Sequence, residues 1–272
     1  MGGQGPPLLL LHGYPQTHAI WHRVAPALAE RFTTICADLR GYGDSGKPDG
    51  GPGHAAYAKR AMAQDMVEAM AALGHERFLL AGHDRGGRVA HRLCLDHPDR
   101  VLRTAVLDIV PTRTLFAATN QALATGYYHW FFLIQPEPLP ERLIGADPLF
   151  YLHQKLGQWS AAKDTSWLDP GALAEYERCF ADPATVHASC EDYRAAAGID
   201  LAHDAADLDR KITCPLLVLW GECALMHRHF DVLATWREKA AGDVQGGALP
   251  CGHYLPEERP EDVLDAFSDF FG

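Results

Sequence analysis

Short apolar runs bounded by turn residues alternate with stretches of helical period at both ends of this chain. That rhythm leaves few folds open, because it is the pattern of a parallel sheet covered by helices on both faces. Pro7 to Leu11 reads as a strand, followed by a helix near Trp21 to Glu30, a strand at Thr33 to Ala37 and the turn DLRGYGDSGKP. A long amphipathic helix from about Tyr57 to Leu73 precedes a strand at Arg77 to Ala81, the turn GHDRGG, a helix ending before His97-Pro98, and a strand at Arg103 to Leu107. From Thr112 to about Ala206 the strand rhythm stops, and aromatics, prolines and helical spacing take over. It resumes with a strand at Leu216 to Trp220, a helix near Asp231 to Ala241, a weak strand at Val244 to Leu249, and a closing helix to Phe271. The fold class expected is α/β, with residues 1–111 and 207–272 forming the sheet domain and 112–206 inserted as a helical lid.

With 272 residues and 47% hydrophobic content, the chain can bury the core of one such domain. No stretch approaches the roughly 20 apolar residues of a membrane span, and Met1 to Pro7 has neither the basic nor the apolar region of a secretory signal. A soluble, cytoplasmic protein is expected. The seven cysteines (Cys36, Cys94, Cys179, Cys190, Cys214, Cys223, Cys251) are odd in number, scattered, and form no C-x-x-C pair, which points away from a disulfide framework or a zinc site. The 24 basic and 35 acidic residues leave a formal charge of −11, which disfavours nucleic acid or acidic membrane as partners. If the substrate is a small anion, arginines near the site must overcome that field.

Gly82-His83-Asp84-Arg85-Gly86-Gly87 lies between an expected strand and an expected helix, with small residues two before and two after the acid. This is the arrangement of a nucleophile elbow, whose small neighbours permit a strained turn that exposes one side chain above the sheet. Here that side chain is Asp84. The plainer reading is a helix N-cap aspartate with turn glycines. A carboxylate nucleophile selects the chemistry: displacement at an sp³ carbon gives an ester that water can hydrolyse, whereas serine would give an inert ether. Carbon–halogen or epoxide opening is therefore favoured over esterolysis.

The second half-reaction needs a base to activate water, and His253 supplies a histidine in the order nucleophile, acid, histidine. Two acids could complete the set, Asp108 after the fourth strand and Glu222 after Trp220-Gly221. Asp108 is preferred because it sits directly at a strand's carboxyl end, where sites form in such sheets. His12-Gly13-Tyr14-Pro15 follows the first strand, so the backbone N–H groups of Tyr14 and Arg85 are candidates for an oxyanion hole. Arg85 and Arg88 flank the nucleophile at offsets of one and four, and guanidinium is the group best shaped to hold a carboxylate. Two cations there make sense for a substrate whose own negative charge would otherwise repel Asp84. The alternative is that one or both pair with acids such as Asp108. No cofactor or metal is called for.

Taken together, HGYPQTHAIWH, DLRGYGDSGKP, AGHDRGGRV, VLDIVPT, YYHWFF, CEDYRA and GHYLPEE resemble the fluoroacetate dehalogenases of the α/β-hydrolase superfamily, from about Gly5 to the C-terminus. The resemblance implies the α/β-hydrolase fold. It also implies that Asp84 attacks the α-carbon, that Arg85 and Arg88 clamp the carboxylate, and that His253 paired with Asp108 activates water. His129, Trp130 and Tyr193 would hold the departing halide, with Trp159 lining the pocket. Fluoride leaves poorly unless several donors gather its charge. Without the resemblance, these aromatics would read as lid packing. The family normally carries two strands ahead of the first one here, so the sheet is expected to lack them at its far edge, where an uncovered strand invites instability or self-association.

The leading expectation is thus hydrolysis of haloacetates through an ester on Asp84. An epoxide hydrolase uses the same nucleophile, but two arginines have no role with a neutral epoxide. An ester or lactone hydrolase would normally keep serine at position 84, and a non-catalytic small-molecule receptor on this fold would retain its ligand where an enzyme turns it over. Homodimers are common among soluble enzymes, and a homodimer is the assembly to expect.

Overall fold

A computed structural model describes residues 1–272. Six strands, β1 (Pro7–Leu11), β2 (Thr33–Ala37), β3 (Phe78–His83), β4 (Val101–Leu107), β5 (Leu216–Gly221) and β6 (Val244–Leu249), form one parallel sheet in the order β2-β1-β3-β4-β5-β6. At the β2 edge the N-terminus adds only an antiparallel bridge between Gly2 and Thr34.

Alternation along the strands divides the core in two. Leu9, Leu11, Phe78, Leu80, Val106, Leu216 and Val218 face one apolar cluster, and Leu8, Leu10, Leu79, Ala81, Ala105, Leu107, Leu217 and Leu219 face the other. Both faces of each central strand are apolar because successive side chains point to opposite faces and helices cover both. α1 (Ala25–Leu28) buries Leu28 in the smaller cluster, while α2 (Lys59–Ala72) and α3 (Arg85–Asp96) bury Met62, Met66, Met70, Val89 and Leu93 in the larger one.

Between β4 and β5 the chain forms eight helices and no strand: α4 (Thr112–Ala117), α5 (Gln121–Gly126), α6 (Tyr128–Phe132), α7 (Leu139–Gly145), α8 (Pro148–Trp159), α9 (Pro170–Phe180), α10 (Pro183–Ala197) and α11 (Ile199–Ala206). Three of them begin at an Asp-Pro pair. Asp147, Asp169 and Asp182 accept hydrogen bonds from the first-turn N–H groups of α8, α9 and α10, and the proline that follows needs no N–H partner at that position. After β5 come α12 (Leu225–His229), α13 (Val232–Arg237), α14 (Leu255–Glu258) and α15 (Pro260–Phe271), with Phe267 and Phe270 of α15 closing the smaller cluster.

Several boundaries differ from those expected. The helix placed at Trp21 to Glu30 is a 3-10 turn at His18–Trp21 followed by the short α1, and the one placed at Asp231 to Ala241 ends at Arg237. β3 runs on through Gly82 and His83 because it pairs Gly82 with Val106 and His83 with Leu107, which carries the strand to the residue before Asp84. No helix is long and apolar enough to cross a membrane.

Candidate active site

Asp84 stands between β3 and α3 with φ 46° and ψ −113°, a region that L-residues avoid. The turn is tight enough that a Cβ on Gly82 would strike the Gly86 carbonyl, and one on Gly86 would strike the Leu11 and His12 carbonyls. Although Asp84 occupies the N-cap position of α3, its side chain makes no capping hydrogen bond. It points instead to the loop after β1, where the Tyr14 N–H donates to Asp84 Oδ1 at 3.0 Å. One carboxylate oxygen is thereby held, and Oδ2 lies 3.9 Å from His253 Nε2. Burial raises the cost of the Asp84 charge, yet His253, then Arg85, outweigh it and keep the pKa below the ordinary carboxylate value. The N-terminus of α3, at Arg85, adds the positive end of a helix dipole.

Asp108 directly follows β4, also at positive φ (51°), and is buried. Its Oδ2 lies 2.6 Å from His253 Nδ1, and its Oδ1 accepts from the Gly221 N–H at 3.1 Å. With Nδ1–H donating to Asp108, the Nε2 lone pair faces Asp84. Burial opposes a charge on His253, but Asp108 and then Asp84 outweigh it, so its pKa is raised. The His253 backbone N–H donates to the Trp159 carbonyl at 2.9 Å, and His83 Nε2 donates to the His253 carbonyl at 2.7 Å, so the backbone of His253 is held from α8 and from β3 while Asp108 holds its ring. Glu222, the other candidate acid, is exposed.

Arg85 and Arg88 are both buried beside Asp84. Neither pairs with Asp108. Arg88 Nη1 donates to the Val110 carbonyl and to Thr112 Oγ1, each at 3.0 Å, and burial, then Arg85, lowers its pKa to about 10. Arg85 forms a forked pair with Asp192 on α10, Nε to Oδ2 and Nη2 to Oδ1, both at 2.7 Å. The Arg85 guanidinium carbon lies 4.3 Å from the centre of the Tyr193 ring, and that of Arg88 lies 4.5 Å from the Trp130 ring.

The lid residues singled out from the sequence converge on the same place. His129 lies 5.4 Å from Tyr193 and 4.4 Å from Trp159 between ring centres, Trp130 lies 5.5 Å from Tyr193, and Tyr14 lies 5.2 Å from Tyr193. They are lid packing, as their residue types alone suggest, but not only that. Tyr193 Oη, His129 Nδ1 and Trp159 Nε1 are buried without a hydrogen-bond partner in the protein, as are Arg85 Nη1 and Arg88 Nε. Buried polar groups are normally paired, and a cluster of unpaired ones marks a place built to receive something else. A cavity of ≈ 130 Å³ opens against Asp108, Tyr127, Trp159 and His253. Its lining does not include Asp84, Arg85 or Arg88, and a larger cavity, ≈ 740 Å³, near Met1 and Trp21 is lined by none of Asp84, Asp108 and His253.

The alpha/beta hydrolase fold family matches residues 6–260. The chain belongs to it. This hydrolase is similar to a Burkholderia fluoroacetate dehalogenase, 48% identical across 99% of this chain and 88% of that protein. A Corynebacterium soluble epoxide hydrolase is 36% identical across 99% of this chain and 91% of its own length. Among solved structures, a Nostoc protein described as an alpha/beta hydrolase superposes with a TM-score of 0.97 at 60% identity, covering 99% of this chain and 92% of that one.

Sequence reasoning missed Asp192 and Lys155. Asp192 stands next to Tyr193 in CEDYRA, but nothing in the sequence says that its carboxylate turns inward. Lys155 of α8 is fully buried, with Nζ 3.7 Å from the Tyr128 ring centre and burial pushing its pKa down to about 7. A lone lysine in a helix carries no sign of such burial.

Proposed function

We propose that this hydrolase converts short haloacids, fluoroacetate and chloroacetate among them, to glycolate and halide. In the first step Asp84 Oδ2 attacks the α-carbon, the carbon–halogen bond breaks with its electron pair leaving on the halide, and an ester joins Asp84 to the carboxymethyl group. In the second, His253 Nε2 takes a proton from water, whose oxygen adds to the ester carbonyl carbon. The Tyr14 N–H that holds Oδ1 in the resting site would stabilise the oxyanion, with the Arg85 N–H as second donor. Collapse releases glycolate and restores the carboxylate. The net change consumes one water and yields glycolate, halide and a proton, with no cofactor.

The single observation that carries this reading is a cation with no carboxylate partner beside a carboxylate nucleophile: Arg88, buried and bonded only to neutral oxygens. Asp84 offsets part of this charge without bonding it, and the unbonded Nε of Arg88 remains to receive a second anion. The fluoroacetate dehalogenase relative supports the same substrate class. Tyr193 Oη, His129 and Trp130 would gather charge on the halide, a role supported by their convergence and by the unpartnered Tyr193 Oη and His129 Nδ1. Epoxide opening by the same nucleophile is the second reading. The epoxide hydrolase relative and the unpartnered Tyr193 hydroxyl favour it, but it gives Arg88 nothing to bind.

Halide release from fluoroacetate and chloroacetate by wild type and by Asp84→Asn tests the proposal. Release by wild type that vanishes in the variant is expected. No halide from either substrate with folded wild type would remove the haloacid reading, turn attention to epoxides, and leave retention of an unchanged ligand as the mark of a receptor.

A further inference from the structure

The two arginines at the nucleophile are not equivalent, and the difference lies in which of their N–H groups are already engaged. Arg88 spends Nη1 on the Val110 carbonyl and Thr112 Oγ1, while its Nε makes no bond in the protein. Arg85 spends Nε and Nη2 on the two carboxylate oxygens of Asp192, and Nη2 also donates to the Asp192 carbonyl at 2.9 Å. Only Nη1 of Arg85 is left, buried and unpartnered.

Asp192 is itself fixed from several sides. Tyr42 Oη donates to its Oδ2 at 2.7 Å, and Lys59 Nζ bonds its Oδ1. Lys59 Nζ also lies 3.5 Å from Asp200 Oδ2, and Asp200 Oδ1 accepts from the Lys59 N–H at 2.8 Å. All four charged residues are buried, and their formal charges cancel. The network ties α2 and α3 of the sheet domain to α10 and α11 of the lid. Such a closed set with both oxygens of its central acid occupied leaves that acid no freedom to rotate, and a forked pair fixes the plane of the guanidinium as well as its position.

We propose that Asp192 is a positioning residue for the haloacid reaction: its carboxylate holds the Nε–Nη2 edge of Arg85, so that Arg85 meets the substrate carboxylate through Nη1 alone. The proposal rests on the haloacid reading of the site. It divides the work of the clamp. Arg88 supplies a charge bonded to no protein acid, and Arg85, whose charge is matched by Asp192, supplies the two N–H groups of Nη1 in a fixed direction. That direction sets where the α-carbon lies relative to Asp84 Oδ2. Tyr193, the neighbour of Asp192 on α10, packs on the Arg85 guanidinium and shares its placement.

The test is steady-state kinetics of Asp192→Asn with fluoroacetate, normalised to active sites by the end-point amount of carboxymethyl ester that accumulates on Asp84 when His253→Asn is introduced into each protein. The variant frees half of the fork and leaves the pocket one unit more positive. Binding of the anion should hold or tighten while alignment is lost, so kcat is expected to fall about tenfold to a hundredfold with KM unchanged or lower. A merely structural role would lower the fraction of active sites and leave kcat per active site alone. Unchanged kcat per site, or a raised KM with unchanged kcat, would overturn the proposal. If Asp192→Asn does not fold, a crystal structure of Asp84→Asn with fluoroacetate decides. Arg85 is expected to touch the carboxylate through Nη1 with Asp192 still on its other edge, and an Nε–Nη2 edge turned from Asp192 to the substrate would overturn it. Wild type that turns over haloacids beside an unaffected variant would sink this proposal alone, whereas wild type releasing no halide would sink it together with the proposed function.

Discussion

At Asp84 the chain holds a non-glycine residue at φ 46°, a conformation that costs on the order of 1–3 kcal/mol and persists because the surroundings over-determine it. Those surroundings are the pairing of β3 with β4 up to His83 and Leu107, and the absence of side chains at Gly82 and Gly86. The strain leaves one carboxylate oxygen on the Tyr14 N–H and the other facing His253. The halide role proposed for Tyr193 can be separated from the role proposed for Asp84 by choice of substrate. Tyr193→Phe removes a buried hydroxyl that bonds nothing in the protein, so it should cost little stability. Fluoride depends on donors as it leaves far more than chloride does. The variant is therefore expected to lose about 100-fold in kcat for fluoroacetate and less than about tenfold for chloroacetate, measured by ion-selective electrode. Equal losses on the two halides would contradict a role in halide stabilisation.

At the scale of elements, the strands of the sheet were legible because alternation and turn residues record them directly, and all six lie within two residues of the runs that mark them. Asp84, Asp108 and His253 were legible for a related reason: each sits at a strand end or in the turn before a closing helix, so place and residue type agree. Arg85 was legible as a cation but not as half of a buried pair. Its partner comes from α10, 107 residues later, and sequence records residue types but not which hydrogen-bonding edges are occupied. The same holds for Glu257 of α14, which takes a hydrogen bond from Tyr176 Oη of α9 at 2.9 Å and one from Gln16 Nε2 after β1 at 2.5 Å. Burial pushes its pKa up to about 8. The unfolded chain releases this proton in the ordinary glutamate range while the folded chain keeps it, so its contribution to stability is full below that range and is lost as pH rises through about 8. Glu257→Gln removes that dependence. In thermal melts it should exceed wild type by about 4 °C or more near pH 8.5 and fall back toward it near pH 4.5. A difference that does not change with pH would show that Glu257 is ionised in the fold.

At the scale of the whole molecule, a chain of formal charge −11 is proposed to bind an anion, and the conflict is resolved locally. Arg88 and Arg85 lie beside Asp84 on α3, while Asp192, Lys59 and Asp200 balance Arg85 between the sheet helices and the helices inserted after β4. That junction also supplies the Trp159 carbonyl that holds His253. On the proposed mechanism the inserted helices would serve both half-reactions, holding Arg85 for the first and the backbone of His253 for the second. Separating those halves tests the ester route most directly. Removing the base in His253→Asn should leave alkylation intact and stop hydrolysis. Intact-mass and peptide mass spectrometry of this variant after incubation with chloroacetate should show one carboxymethyl group per chain, on the peptide carrying Asp84, with one chloride released for each. Chloride release with no adduct on Asp84, beyond the background carboxymethylation of exposed thiols such as Cys223 seen equally in Asp84→Asn, would contradict the covalent mechanism.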